Sequence, residues 1–323
     1  MKPSPDITCI GEVLVDFVST TSGVSLSDAP AFAKETGGAP ANVAVALAKL
    51  GTRSGFAGKV GDDPFGRFLA RSLAEQGVDV TGLIFDTVHR TRLAFISLTT
   101  SGDRDFAFWE QHPADEQLTE RDIKFSHLAG SKIIHISSFL LLKDPARSTA
   151  FQLAERLQRT GCRISFDPNL RLSLWRSSGE ARRAAVHMIK FTDILRLNKE
   201  EALFLSGRKD AKSAAESFLR LGPKLVIVTY GEHGCSFHAA SCHGTVPGFA
   251  VQAVDTTGCG DAFLAGVLHR LVAAGDPLAN LTEAALVPLC RYANAVGAIT
   301  ALGYGAGSSP KASAVEEFLK GVR

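Results

Sequence analysis

The stretch Asp255-Thr-Thr-Gly-Cys-Gly-Asp261 precedes an apolar run that reads as a helix from Gly260 to about Ala274. Gly258, Cys259 and Gly260 then lie at a helix N-terminus, where backbone N–H groups lack helical partners and the dipole is positive. Such a turn suits an anion, and small residues let a phosphate approach the backbone closely. Asp261, in the first turn, is placed to take a proton from a hydroxyl attacking that phosphate. The same residues read equally well as a tight turn followed by a dipole-stabilised carboxylate, and this stretch alone does not decide. A second glycine pair, Gly37-Gly38, precedes another helical pattern with Asn42 in its first turn. By itself that is a turn and a solvated asparagine.

The elements that must position these residues alternate along the chain. Short apolar runs at 6–13, 54–60, 132–137, 162–167, 193–198 and 224–230 predict strands covered on both faces. Helical stripes separate them. In 40–50, Val43, Ala46, Leu47 and Leu50 share one face, with Pro40 in the first turn and Gly51 past the end. In 64–76, Phe65, Phe68, Leu69 and Leu73 repeat the pattern. The expected fold is therefore α/β, with a doubly covered, mostly parallel central sheet. Residues 81–109 break the rhythm: Phe95/Ser97/Thr99 and Phe106/Phe108 alternate with period two about a turn at Ser101–Arg104. This predicts a small antiparallel β lid, built mainly from about 13–36 and 81–112, on a single domain spanning 1–323.

Composition excludes several function classes. The 323 residues are 45% hydrophobic, enough for one large core or two moderate ones. Thirty-five basic and 33 acidic residues give a net charge of +2 with mixed signs, which offers no basic stripe for nucleic acid. The apolar run at 263–275 is cut by His269 and Arg270 and falls short of the ~18 residues of a membrane span. The N-terminal residues carry no apolar signal region, and the six cysteines form no CxxC pair. A reduced, cytoplasmic protein is the expectation.

The two glycine stretches together resemble the paired signatures of the ribokinase-like PfkB family of carbohydrate kinases. Gly37-Gly38…Asn42 matches its GG-x-x-x-N pattern, and residues 255–261 match D-T-x-G-x-G-D. Cys259 stands where the family carries a small residue. A thiol there is either an inert replacement or, favoured by the dipole, a reactive thiolate. The resemblance extends over nearly the whole chain, through "GEVLVDF" (11–17), "GKVGDDPFG" (58–66), "NKEEA" (198–202), "VTYGEHG" (228–234) and "ANAVGAIT" (293–300). It implies an ATP-dependent sugar kinase with Asp261 as base, Gly258–Gly260 amides on the γ-phosphate, and Asp16, Gly37, Gly38 and Asn42 on the sugar. It also implies Thr229, Gly231 and Asn294 on the nucleotide side, and Asn198 and Glu201 organising Mg²⁺, through water. A monovalent cation such as K⁺ would sit near Asp255 and Thr257.

"FDPNLRLSLW" (166–175) and "GDRDFAFW" (102–109) resemble the fructokinase subgroup. On that resemblance Arg171 holds the transferring phosphoryl group, while Asn169 and the lid residue Arg104 contact sugar, with D-fructose the expected substrate. The bland alternatives are an Asx turn at 167–169, a surface ion pair for Arg171 and a solvated hairpin residue for Arg104. Kinases of aminoimidazole riboside, 2-keto-3-deoxygluconate or ribose, and a silent sugar-sensing homologue, share much of this pattern. His233, Cys235, His238, Cys242 and His243 suit zinc by type, but their spacing fits no finger or ribbon, and a hairpin accounts for them. The expected partners are a sugar and ATP, without nucleic acid or membrane, and a second copy through the lid.

Overall fold

A computed structural model describes residues 4–98, 104–109, 111–128, 130–276 and 278–322, and resolves the chain into two sheets. The strands are β1 (Ile7–Ile10), β2 (Leu14–Ser19), β3 (Phe32–Gly37), β4 (Ser54–Gly61), β5 (Asp79–Asp86), β6 (Leu93–Leu98) and β7 (Arg104–Phe108). They continue with β8 (Ile133–Ser137), β9 (Arg163–Asp167), β10 (Ile194–Asn198), β11 (Leu225–Thr229), β12 (Cys235–Ala239) and β13 (His243–Val246). The first helices are α1 (Ala39–Lys49), α2 (Pro64–Glu75), α3 (Phe125–Leu128), α4 (Ala146–Gln158) and α5 (Ser178–Ile189). After them come α6 (Lys199–Ser206), α7 (Ala211–Leu219), α8 (Cys259–Ala273), α9 (Glu283–Thr300) and α10 (Ala312–Gly321).

The large sheet has the order β13-β12-β11-β10-β9-β8-β1-β4-β5, parallel throughout from β11 to β5 and antiparallel in the hairpin β12–β13 and its pairing to β11. Successive residues of a strand face opposite ways. On β11, Leu225 and Ile227 join one buried cluster with residues of α1, α8 and α9, whereas Val226 and Val228 join another with α4 to α7. Both faces are apolar, which is why these strands read as unbroken hydrophobic runs. The stripe of α1 is buried as expected: Val43, Ala46, Leu47 and Leu50 are all at most 2% exposed.

The expected first strand, 6–13, is shorter. It stops at Ile10, because Gly11 turns with φ +156°, and a Cβ there would lie 2.5 Å from Pro40. The chain then leaves the large sheet and begins a second one as β2. This second sheet, β3-β2-β6-β7, is the lid. Its outer pairs, β2–β3 and β6–β7, are antiparallel, but β2 runs parallel to β6. No hairpin joins that central pair; α1, β4, α2 and β5 intervene, so the direction is set by packing alone. The lid expectation for 81–112 is also corrected at its start, since 79–86 is β5, the edge strand of the large sheet. An edge strand is covered incompletely, and only Leu83 of β5 is buried, so its pattern imitates that of a half-wet lid strand. Residues 99–103 of the expected lid turn lie outside the described residues.

The lid is held to the core by aromatic packing and by two buried polar anchors. Phe17 of β2 stacks on Phe95 of β6 at 5.0 Å and meets Phe65 of α2 edge-on at 5.7 Å. Below it, Asp63 caps α2 by accepting from Phe65 N–H (3.0 Å) and Gly66 N–H (2.8 Å). The same carboxylate accepts from the backbone N–H and hydroxyl of Thr91, both at 2.9 Å, just before β6 enters the lid. On the return side, buried Arg92 donates to Asp115 (3.0 Å) and Glu116 (2.9 Å). Asp63 titrates below the usual carboxylate range: burial opposes this, but its four hydrogen bonds outweigh the burial. Its contribution to stability is thus present above pH 4 and lost as pH falls through the depressed value. Asp63→Ala is expected to cost about 2–4 kcal/mol in urea unfolding at pH 7, combining a lost cap with stranded donors. Asp63→Asn is expected to lose about half of that.

Candidate active site

Strands β1, β8, β9, β10 and β11 all point their carboxyl ends to one edge, the edge at which α/β sheets bind ligands. There Glu12 follows β1, and Ser137, Asp167, Asn198 and Thr229 end β8 to β11 in turn. Helix α8 brings its N-terminus to the same place. It starts at Cys259, one residue earlier than expected, because Gly258 adopts the left-handed conformation at φ +74°. A Cβ on Gly258 would stand 2.5 Å from that of Ala306, and one on Gly260 would stand 2.9 Å from both terminal nitrogens of Arg196. Gly258 is therefore required by backbone angle as well as by contact, and Gly260 by contact alone.

Asp261 sits in the first turn of α8, buried at 7% exposure. Its carboxylate accepts from Asn42 Nδ2 at 2.9 Å, a bond that joins the two glycine signatures across 219 residues. Burial raises its pKa to about 7, and the negative charge of Asp167 adds to the rise. The Asn42 bond and the charges of Arg196 and Arg171 act in the opposite direction. A carboxylate poised near neutrality is suited to proton abstraction.

Two cavities meet at this point. One, of about 650 Å³ beneath the lid, is lined by Asp16, Gly38, Asn42, Asn169, Arg171 and Asp261, with Phe106 and Phe108 of the lid above. The other, of about 910 Å³ beside β11 to β13, is lined by Asn198, Thr229, Gly231, Cys259, Gly260 and Asn294. Arg196, Thr256 and Gly260 line both. A small polar molecule under the lid and a longer one beside β11 would therefore face each other across the N-terminus of α8.

Most expected residues come together here, and several have duties that the sequence did not reveal. Gly37 lines neither cavity; it lies behind Asp16, whose carboxylate a Cβ at 37 would overlap. Asn169 holds φ +40°, donates its N–H to Asp167 Oδ1 at 3.1 Å, and accepts from Arg171 at 2.6 Å. The Asx turn and the cavity wall are thus the same structure. Asn294 commits its amide to the carbonyls of Val246 (3.2 Å) and Pro247 (3.0 Å). Asp255 accepts from Thr257 N–H (2.9 Å), Thr257 Oγ1 (2.7 Å) and Gly305 N–H (3.0 Å), tying the α8 loop to the loop at 305. Cys259 is half-buried, with Sγ 3.9 Å from the carbonyl of Asp255. The side chain of Arg104 lies outside the described residues.

Glu201 does not face the nucleotide-side cavity. Its carboxylate accepts from Leu170 N–H (2.7 Å) and Asn198 N–H (3.0 Å), while Asn198 Oδ1 accepts from Glu201 N–H (2.8 Å). This reciprocal cap starts α6 and fixes the Asp167–Arg171 turn against it. Burial pushes its pKa up, and Asp167 reinforces the effect.

Two residues of the site escaped the sequence reading. Arg196 donates to Asp167 Oδ2 at 2.8 Å and Thr229 Oγ1 at 2.7 Å, and its buried Nε has no hydrogen-bond partner among the described residues. It lies beneath the Gly258–Gly260 turn, and a lone arginine inside the apolar strand at 193–198 was its signal. Glu12 accepts from Ala39 N–H and Ser137 Oγ, both at 3.0 Å, and burial raises its pKa to about 8. An acid directly after a buried strand, before the first lid strand, was the corresponding signal.

Comparison with known proteins gives this geometry its context. Residues 4–312 match the model of the pfkB family of carbohydrate kinases. The chain is 42% identical over 317 residues to probable fructokinase-4 of Arabidopsis thaliana, covering 98% of this chain and 97% of that one. Over 301 residues it is 42% identical to fructokinase-1 of Zea mays, covering 93% of each. Among solved structures, the ATP-bound fructokinase of Xylella fastidiosa superposes with a TM-score of 0.90 at 30% identity, covering 98% of both chains. A double-mutant fructokinase of Vibrio cholerae O395, bound to fructose, ADP and potassium ion, gives 0.87 at 33% identity, covering 99% of this chain and all of that one. With nearly its whole length matched and both glycine signatures meeting at Asp261, this chain belongs to the pfkB family of carbohydrate kinases.

Proposed function

We propose that the protein transfers the γ-phosphate of ATP to the primary 6-hydroxyl of D-fructose. The observation that carries the reading is the position of Asp261, a buried carboxylate with a pKa near 7 at the junction of two cavities. Asp16 and Asn42 offer an acceptor and a donor to a neutral sugar, which needs hydrogen bonds rather than a counter-charge. The similarity to fructokinases, one of them bound to fructose, supports that sugar. Asp261 takes the proton of the attacking hydroxyl. The N–H groups from Gly258 to Gly260 receive the phosphate oxygens, with Arg196 behind them and Arg171 beside them. Charge that develops during transfer is thus met by groups already in place. The aromatic underside of the lid keeps water, a competing acceptor, from the phosphate.

The donor set fits Mg²⁺. Asp167, Glu201 and Asp261 gather three carboxylates around the guanidinium of Arg196. Asn198 lines the nucleotide-side cavity and its Oδ1 already accepts a backbone N–H, so it would hold the ion through water, with Glu201 behind it fixing its position. Bound there, Mg²⁺ would neutralise charge on the phosphate oxygens. Asp255 and Thr257 are proposed for a monovalent cation, consistent with the potassium-bound relative. No helix among the described residues is long and apolar enough to cross a membrane, and the free cysteines support a reducing, cytoplasmic setting. Phe106 and Trp109, at 43% and 73% exposure on the lid, support pairing with a second copy.

Two measurements test this reading. With fructose, ribose, 2-keto-3-deoxygluconate and aminoimidazole riboside offered in parallel, ADP release is expected to be fastest with fructose, and ³¹P NMR should show a 6-phosphate. A faster alternative sugar would reassign the substrate, and no turnover with any of them would remove the kinase reading. Asp261→Asn is expected to fold, bind ATP and lose about 10²–10⁴ in kcat. Because the folded pKa is raised, ionised Asp261 costs stability once pH exceeds the unfolded value of 3.8, with the full cost reached above about pH 7. The asparagine variant should therefore also melt about 1–2 °C higher at pH 8, as expected for a gain of about 1 kcal/mol in a chain this long.

A further inference from the structure

A second concave site lies away from the catalytic edge, on the sheet face covered by α4 to α7. It is a cleft of about 570 Å³ where the C-terminal ends of α5, α6 and α7 converge. Five cations line it: Arg182, Arg183, Lys190, Arg208 and Arg220. No carboxylate does, and none of the five forms an ion pair with a described residue. Elsewhere on this surface arginines commonly have acids, as in Arg53–Asp6 and Arg147–Glu180.

Capping of helix ends does not account for so many charges. Each helix C-terminus carries roughly half a negative charge, so three of them offset about one and a half. Five cations leave a surplus of about three. Arg182 alone is seen capping, with Nε on the carbonyl of Leu205 at 2.9 Å. The floor is apolar, formed by Val186, Leu205 and Phe218, with the exposed Leu221 at its edge. Charge at the rim and carbon at the base suit an organic molecule with several phosphate oxygens. The concave shape between three helix ends, about 570 Å³ in volume, favours such a small ligand over an extended polyanion.

We propose that this cleft is a regulatory site for a small organic ester or anhydride carrying two phosphoryl groups. The guanidinium forks of Arg183, Arg208 and Arg220 receive the phosphates, and the floor receives the carbon body. The site reaches the catalytic edge through α6. Leu205 and Ser206 at the end of that helix line the cleft, while Asn198 and Glu201 at its start cap it beside the nucleotide cavity. Eight residues, about 12 Å of helix, separate the two.

The test is titration calorimetry of the full-length protein with inorganic pyrophosphate at constant ionic strength. Wild type and the Arg183→Glu/Arg208→Glu double variant are titrated side by side without nucleotide, so any binding at the catalytic edge is common to both and the result does not depend on which sugar is the substrate. One saturable binding step per chain is expected in the wild type that is weakened at least tenfold in the double variant. Both side chains are exposed and outside the catalytic machinery, so that variant should keep its basal kcat. In assays, pyrophosphate is expected to change the KM for ATP in the wild type by an increment that the double variant loses. Equal affinity in both proteins, no binding, or orthophosphate binding as tightly as pyrophosphate would overturn the proposal. So would preferential binding of an oligonucleotide.

Discussion

The structure depends on keeping one carboxylate buried at the positive end of a helix. Asp261 would lose much of its basicity in water, where an aspartate titrates near 4. Burial beside Asp167 raises it to about 7, and that burial is tolerable only because Asn42 donates to it and Arg196 and Arg171 stand nearby. Arg196 in turn is held by Asp167 and Thr229 at the ends of neighbouring strands. The register of β9, β10 and β11 therefore sets the electrostatics of the site. A one-residue slip in any of them would turn its functional side chain away from this edge.

The glycines belong to the same constraint. Gly260 brings the anion loop against Arg196, Gly258 lets α8 begin beside Ala306, and Gly37 leaves room for the Asp16 carboxylate. Each marks a place where backbone must come closer to a charged group or a neighbouring loop than a Cβ permits. The lid then closes a surface that is already organised. Its attachment through Asp63 and Arg92 lies on the two segments where the chain enters and leaves the β6–β7 hairpin.

What could be read in advance follows from which interactions are local. The parallel strands and the stripes of α1 and α2 were visible because burial on both sheet faces imposes apolar runs and helical spacing on contiguous residues. The turn before α8 was visible for a similar reason, since Gly258 answers to one local backbone angle. Contacts between distant strands were not visible. The parallel pairing of β2 with β6 and the edge position of β5 depend on packing between segments far apart in sequence. Arg196 looked like an ordinary charge in a strand, because its importance comes from Asp167, Thr229 and Gly260 on three other elements. Glu201 was assigned from its motif, yet its carboxylate turned out to organise backbone.

The central claim is that burial makes Asp261 a base near neutrality. It is tested most directly by ¹³C NMR titration of the Asp261 carboxyl in the free protein, assigned by its loss in Asp261→Asn. A midpoint near 7, rising further in Asn42→Ala as the hydrogen bond to the ionised form is removed, is the result this account predicts. A midpoint near 4, unmoved by the loss of Asn42, would contradict it.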